Sequence, residues 1–201
     1  MIGSPLLPPM SRVASRLGKW SVDLYIGNRV AAGDIDLLRH HGITSVLNCS
    51  VNLDVNYVDQ PLAGHPGGSV RIFGFAPVRV AKVGMIDGPG NHPSLLLAAC
   101  HALEGMLHQD SPSTPNHPPH QPGNVLVHCR AGQSRSVTVA ALYLHGKFPE
   151  RWSTFKAALD HVRRERGMFG KDMVDGPTQW MLELARELLD QLAASGRSLF
   201  P

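Results

Sequence analysis

Val127-His128-Cys129-Arg130-Ala131-Gly132-Gln133-Ser134-Arg135-Ser136 is the stretch that decides how this chain folds. A short apolar run, Asn124-Val-Leu-Val-His128, leads into it, and an Ala-rich apolar segment, Ser136 to Leu144, leads out. The first reads as a strand covered on both faces and the second as a central buried helix. Between them stands Gly132, the residue type best able to adopt positive φ. Such a loop wraps so that successive backbone N–H groups point inward beside a helix N-terminus, a setting that suits a tetrahedral oxyanion.

The same dipoles act on Cys129. Inward N–H groups, the helix terminus and the Arg135 guanidinium all favour thiolate over thiol, and such surroundings bring a cysteine pKa from about 8.5 to between about 3.5 and 7.5. A nucleophile therefore sits under the bound anion. Arg130, Ala131, Gly132, Gln133, Ser134 and Arg135 are the expected phosphate-binding residues, with Arg135 holding two oxygens in a planar fork. Ser136 is placed to hydrogen-bond the thiolate and help it leave. His128 is read as an orienting residue that fixes the loop backbone. A plain buried cysteine at a strand end would leave Gly132, Arg135 and Ser136 without a reason for their positions.

Working outward, Val22 to Ile26 and Thr44 to Cys49 read as strands around a helical segment that starts at Asp34, a β-α-β opening. Val70 to Ile86 is a further strand region broken at Pro77, and its last piece delivers Asp87 at a strand end. A helix starts at Pro93 and carries Leu95, Leu96, Ala99, Cys100, Leu103, Met106 and Leu107. Two more run from Ser153 to Arg166 and from Pro177 to Leu192. Residues 61 to 69 and 167 to 176 read as loops. Residues 111 to 123 hold five prolines and no charge, the mark of an exposed insertion. The expected architecture is α/β, a single domain over residues 23–195, with four or five mostly parallel strands flanked by helices and the active loop after the fourth strand. Residues 1–22 are expected to be a flexible basic N-terminal tail and 196–201 a C-terminal tail.

Composition agrees with a globular domain. Of 201 residues 43% are hydrophobic and 17% charged, with formal net charge +3. The 20 Gly and 16 Pro stay below the level of low-complexity chains. Bases in residues 1–22 account for the whole charge excess, so the body is formally neutral and nucleic acid is not an expected partner. The longest apolar run, Leu95 to Cys100, is far shorter than the roughly 20 residues that span a bilayer, so no integral membrane segment is expected. Three cysteines without paired spacing indicate neither a disulfide scaffold nor a zinc site, and a cytoplasmic location is the default. The alternative, organelle import through residues 1–22, is opposed by prolines at 5, 8 and 9 that break an amphipathic helix. Oligomeric state is left open.

His128 to Ser136 resembles the HCxxGxxR(S/T) signature of the cysteine-dependent phosphatases, in their dual-specificity branch, and the likeness extends over roughly residues 20 to 192. It implies hydrolysis of phosphotyrosine and phosphoserine or phosphothreonine in phosphoproteins through a cysteinyl-phosphate, without metal or other cofactor. Ester cleavage also needs an acid on a nearby loop. Among Asp54, Asp59 and Asp87, the last stands before Gly88-Pro-Gly90, between a strand and a helix, where that family keeps its acid. It precedes Cys129 by 42 residues, about ten more than in the family, and the 111–123 insertion accounts for the excess. The resemblance further implies Cys49 as a redox partner of Cys129 and Arg166 as a contact to a second substrate phosphate. The chain departs from the family at Met173 to Trp180, which lacks the asparagine that braces the phosphate loop. Two other readings stand beside this one: a phosphoinositide or other phospholipid phosphatase, and a phosphate-binding pseudophosphatase.

Overall fold

The computed structural model describes residues 7–61, 74–110, 121–168 and 176–200. In chain order the elements are β1 (Met10–Leu17), β2 (Val22–Gly27), α1 (Arg29–Gly33), α2 (Ile35–His40), β3 (Ile43–Ser50), β4 (Gln60–Pro61), β5 (Gly74–Phe75), β6 (Arg79–Met85), α3 (Ser94–His108), β7 (Asn124–His128), α4 (Arg135–Lys147), α5 (Phe155–Glu165) and α6 (Gln179–Ala194). Five strands form one sheet in the order β1-β2-β7-β3-β6, while β4 and β5 pair as a separate small ribbon. β2, β7, β3 and β6 run parallel, and β1 closes one edge antiparallel to β2. This is the expected α/β domain with a mostly parallel sheet.

Strand alternation builds two cores from one sheet. Leu24, Ile26, Leu47, Cys49, Val125 and Val127 face a large cluster shared with α3, α4, α5 and α6. Their neighbours Tyr25, Val46 and Leu126 face a smaller cluster with Ala31, Ala32 and Leu38 from α1 and α2. A strand apolar on both faces needs cover on both, so β7 at the sheet centre is flanked above and below. α4 is buried from Arg135 through Leu144, which explains its near-continuous apolar composition. Side-chain caps fix where several helices begin: Asn28 accepts from the N–H groups of Val30 and Ala31, Asp34 from Leu37 and Thr154 from Ala157.

Two segments assigned to tails are part of the fold. Residues 10–17, placed in the N-terminal tail, form β1, and Met10, Val13, Ala14 and Leu17 are buried. Register shifts between Arg12 and Ala14 and between Ala14 and Leu17 break the two-residue alternation. Register shifts of this kind change which side chains face inward, so the strand lacks the pattern by which strands are recognised. At the other end Leu199 and Phe200 are buried, and the Phe200 ring packs edge-on against Tyr143 at 5.4 Å. Because β1 adds a strand, the loop at Cys129 follows the fifth strand of the sheet in chain order rather than the fourth. Most of the 111–123 insertion, with His117 and His120, and most of the 167–176 loop lie outside the described residues. Among the described residues no helix is long and apolar enough to cross a membrane.

Candidate active site

β7 ends at His128, and the next six residues turn back beneath the N-terminus of α4. Two backbone bonds tie this loop to the end of β2 and the start of α1: Cys129 N–H donates to Gly27 O at 3.4 Å and Arg29 N–H to Arg130 O at 3.1 Å. Gly132 has φ +68°, and a Cβ there would lie 2.6 Å from Gly27 O, so both its backbone angle and its crowding exclude other residues. Ser134 braces the far side. Thr178 N–H donates to Ser134 Oγ at 3.1 Å, and Thr138 Oγ1 donates to Ser134 O at 3.0 Å. Thr178 thus braces the loop in a segment without the family's asparagine, a contact between residues 44 positions apart.

Cys129 Sγ is buried at the base of this loop, 3.3 Å from Ser136 Oγ, and accepts from Gly132 N–H at 3.2 Å. Burial alone pushes a thiol pKa up. Here that effect is outweighed by hydrogen bonds from the Ser136 hydroxyl, from the Ser136 and Gln133 N–H groups and by the Arg135 charge, leaving Cys129 below its ordinary value. Its neighbour Cys49 behaves oppositely. Asn48 pairs with His128 at the last register position of β3 and β7, which puts Cys49 beside Cys129. Burial first, and then the negative charge at Cys129, push the Cys49 thiol up, so it stays protonated. Cys49, Cys100 and Cys129 are all free thiols.

Arg135 is almost wholly buried. Its Nη1 donates to Met85 O at 3.0 Å, and its Nη2 stands 3.5 Å from Asp87 Oδ2. Its Nε meets no acceptor among the described residues. A buried guanidinium with an unmet donor and a long contact to its carboxylate is suited to an incoming oxyanion. Asp87 is about one-third exposed, at the rim, in a turn that Asn91 closes by accepting from Ile86 N–H at 2.9 Å and donating to Ile86 O at 2.8 Å. Of the other candidate acids, Asp54 is committed to Lys82 at 2.5 Å. The strand end, the turn and the Arg135 contact bring Asp87 to the loop, as the spacing suggests.

The remaining expected residues divide. Arg130 and Ala131 are exposed at the mouth of the loop, Gln133 is half-buried, and Gly132, Ser134 and Ser136 are buried. His128 is buried on β7, with the Cys129 carbonyl near its ring, yet neither ring nitrogen makes a hydrogen bond of good geometry among the described residues. Its ring nitrogens therefore give the loop no hydrogen bond among the described residues. Burial holds its pKa down to about 4. The unfolded chain protonates this ring below about pH 6.5 and the folded chain only near pH 4. Stability is therefore retained above pH 6.5 and falls as pH drops from 6.5 toward 4, by on the order of 3 kcal/mol. In an NMR titration the His128 ring protons are expected not to move above about pH 5; an ordinary midpoint near pH 6.5 would contradict this.

Arg166 corrects its expectation. It has no exposed surface and points into the protein behind the loop, so it offers nothing to a second phosphate on the substrate. A local signal existed: Leu159, Val162 and Arg166 recur at helical spacing on the buried stripe of α5.

No family model matches the chain. It is 27% identical over 143 residues to dual specificity protein phosphatase 1 of Arabidopsis thaliana, a match that covers 71% of this chain and 57% of that one. The chain thus spans little more than half the length of that relative. Among solved structures, human DUSP28 shares 23% identity with a TM-score of 0.60, covering 95% of this chain and 99% of its own. The phosphatase domain of Yvh1 from Chaetomium thermophilum shares 21% with a TM-score of 0.63, covering 92% and 97%. These likenesses establish the phosphatase fold.

Proposed function

We propose that the chain is a cysteine-dependent phosphoric monoester hydrolase acting as a dual-specificity protein phosphatase. One observation carries this reading: Cys129 Sγ, fully buried, is held toward the thiolate by Ser136, by loop N–H groups and by Arg135, with Asp87 at the rim. The thiolate attacks phosphorus in line, and the bond from phosphorus to the ester oxygen breaks as Asp87 gives that oxygen its proton. Arg135 and the loop N–H groups stabilise charge on the equatorial oxygens. Water then attacks the cysteinyl-phosphate and passes a proton to Asp87. Phosphate leaves, and the Ser136 hydroxyl receives the returning thiolate. A nucleophile of this kind needs a reducing compartment, in keeping with the cytoplasm.

The surroundings favour a phosphoprotein over a phosphoinositide. Beside the acid turn a groove of about 240 Å³ is lined by Gly88, Pro89, Asn91, Trp180, Glu183 and Glu187. Two carboxylates and an aromatic ring accept a peptide and repel a headgroup bearing several phosphates. Burial of Arg166 removes the base expected for a second phosphate. Arg130, exposed beside the nucleophile, favours a phospholipid. A parallel hydrolysis series with phosphotyrosyl peptide, phosphothreonyl peptide and a phosphoinositide tests this choice. Both peptides are expected to turn over at least about tenfold faster than the lipid, a difference of about 1.4 kcal/mol in the barrier. Faster lipid turnover would overturn the protein assignment, and no turnover of any of them would leave a phosphate-binding pseudophosphatase.

A further inference from the structure

Arg166 is the largest fully buried side chain among the described residues, and its hydrogen-bond partners are all neutral oxygens. Nε donates to Gly132 O at 3.1 Å, while Nη1 donates to Pro8 O at 2.6 Å and to Ser11 Oγ at 3.1 Å. Nη2 has no acceptor among the described residues and lies 3.0 Å from where a Cβ on Gly132 would sit. Burying a guanidinium without a carboxylate partner is unfavourable, so its place behind the loop calls for a reason.

The reason lies in one peptide unit. No peptide bond in the described chain is cis, and in a trans peptide the C=O and N–H point in opposite directions. The Gly132 carbonyl faces fully buried Arg166 inside the protein, so the Gln133 N–H of the same peptide unit faces the opposite way, toward the loop interior that holds Cys129. An unpaired carbonyl there would be relieved by turning the unit over, which would aim an oxygen at the thiolate and at any bound phosphate. Arg166 Nε–H meets that carbonyl from behind.

We propose that Arg166 is a positioning residue for the phosphatase reaction: it locks the Gly132–Gln133 peptide with its N–H toward Cys129 and, through Pro8 and Ser11, fastens the start of β1 to the phosphate loop. The proposal rests on the phosphatase reading above. It also gives the N-terminal segment a role at the site, since residues 8–11 and 132 meet on one side chain. Burial draws the Arg166 pKa down to about 10 while the negative charge at Cys129 supports it, so the group remains a cation at neutral pH. The titratable and charged groups around Cys129 are Arg135 from α4, Cys49 from β3, His128 on β7, Asp87 after β6 and Arg166 at the end of α5.

The test uses the full chain and measures iodoacetamide alkylation of Cys129 against pH, assigned by peptide mass mapping. The kcat/KM for a small aryl phosphate and the thermal midpoint are read beside it. Arg166→Met is expected to raise the alkylation midpoint by about one pH unit and to lower kcat/KM about tenfold at the acid end. The deficit closes as pH rises and the thiolate is restored, which simple loss of folded protein would not produce. Arg166→Lys, whose single ammonium cannot serve Gly132 O and Pro8 O together, should shift about half as far. A folded Met variant with the wild-type midpoint overturns the proposal, and the Lys variant decides in the same way if the Met variant does not fold. If both fail to fold, Ser11→Ala, which removes one Nη1 acceptor, is read identically. Alkylation needs no turnover, so a shifted midpoint in a chain that hydrolyses nothing would uphold the positioning role and reject the phosphatase reading.

Discussion

Cys129→Ser is expected to abolish hydrolysis of aryl and peptide phosphates, lowering kcat by on the order of 10⁴-fold or more, while the fold and phosphate binding persist. The size of the effect follows from the chemistry of the position. The loop spends its N–H groups, the Ser136 hydroxyl and the Arg135 charge on holding one sulfur as its anion despite complete burial. A serine hydroxyl in the same place ionises far less readily, so the same surroundings yield almost no alkoxide at neutral pH. Serine keeps the shape of the side chain with a smaller atom at its end, and Ser136 and Gly132 can still hydrogen-bond the new hydroxyl, so the thermal midpoint should move little. Activity is read with a small aryl phosphate and binding by competition with inorganic phosphate. Retained turnover would remove the nucleophile from the scheme.

Asp87→Asn is expected to lower kcat by about 10²- to 10³-fold for phosphothreonyl peptide, and much less for an aryl phosphate whose phenol leaves without help. The contrast between substrates is the informative quantity. An alkoxide needs the proton that Asp87 supplies, whereas an acidic phenol does not. A uniform loss across leaving groups would instead point to the 3.5 Å contact with Arg135 as the part that matters. An unchanged rate would return the role to another acid, with Asp59 the next candidate because Asp54 is held by Lys82.

How much of this was legible in the sequence depends on how local each contact is. β7 was readable to its bounds, Asn124–His128, because a short apolar run between Gly123 and a turn has few alternatives. The loop was readable for the same reason, since Cys129, Gly132, Arg135 and Ser136 act within eight consecutive positions. β1 was not, because two register shifts spread its buried residues over positions 10, 13, 14 and 17, a spacing that belongs to helices. Arg166 was legible only in part: its spacing from Leu159 and Val162 puts it on the buried stripe that α5 carries, but what it holds there is not local. Its hydrogen-bond partners stand 34, 155 and 158 positions away. The Thr178 brace on Ser134 was out of reach on the same ground. In each case the missing information is tertiary.

Acid quenching of the wild-type chain during turnover of an aryl phosphate, followed by intact-mass and peptide-mass measurement, tests the covalent route most directly. One phosphoryl group should appear on Cys129 and be absent from the Cys129→Ser chain. Phosphate release with no adduct, or with the phosphoryl group on any other residue, would contradict it.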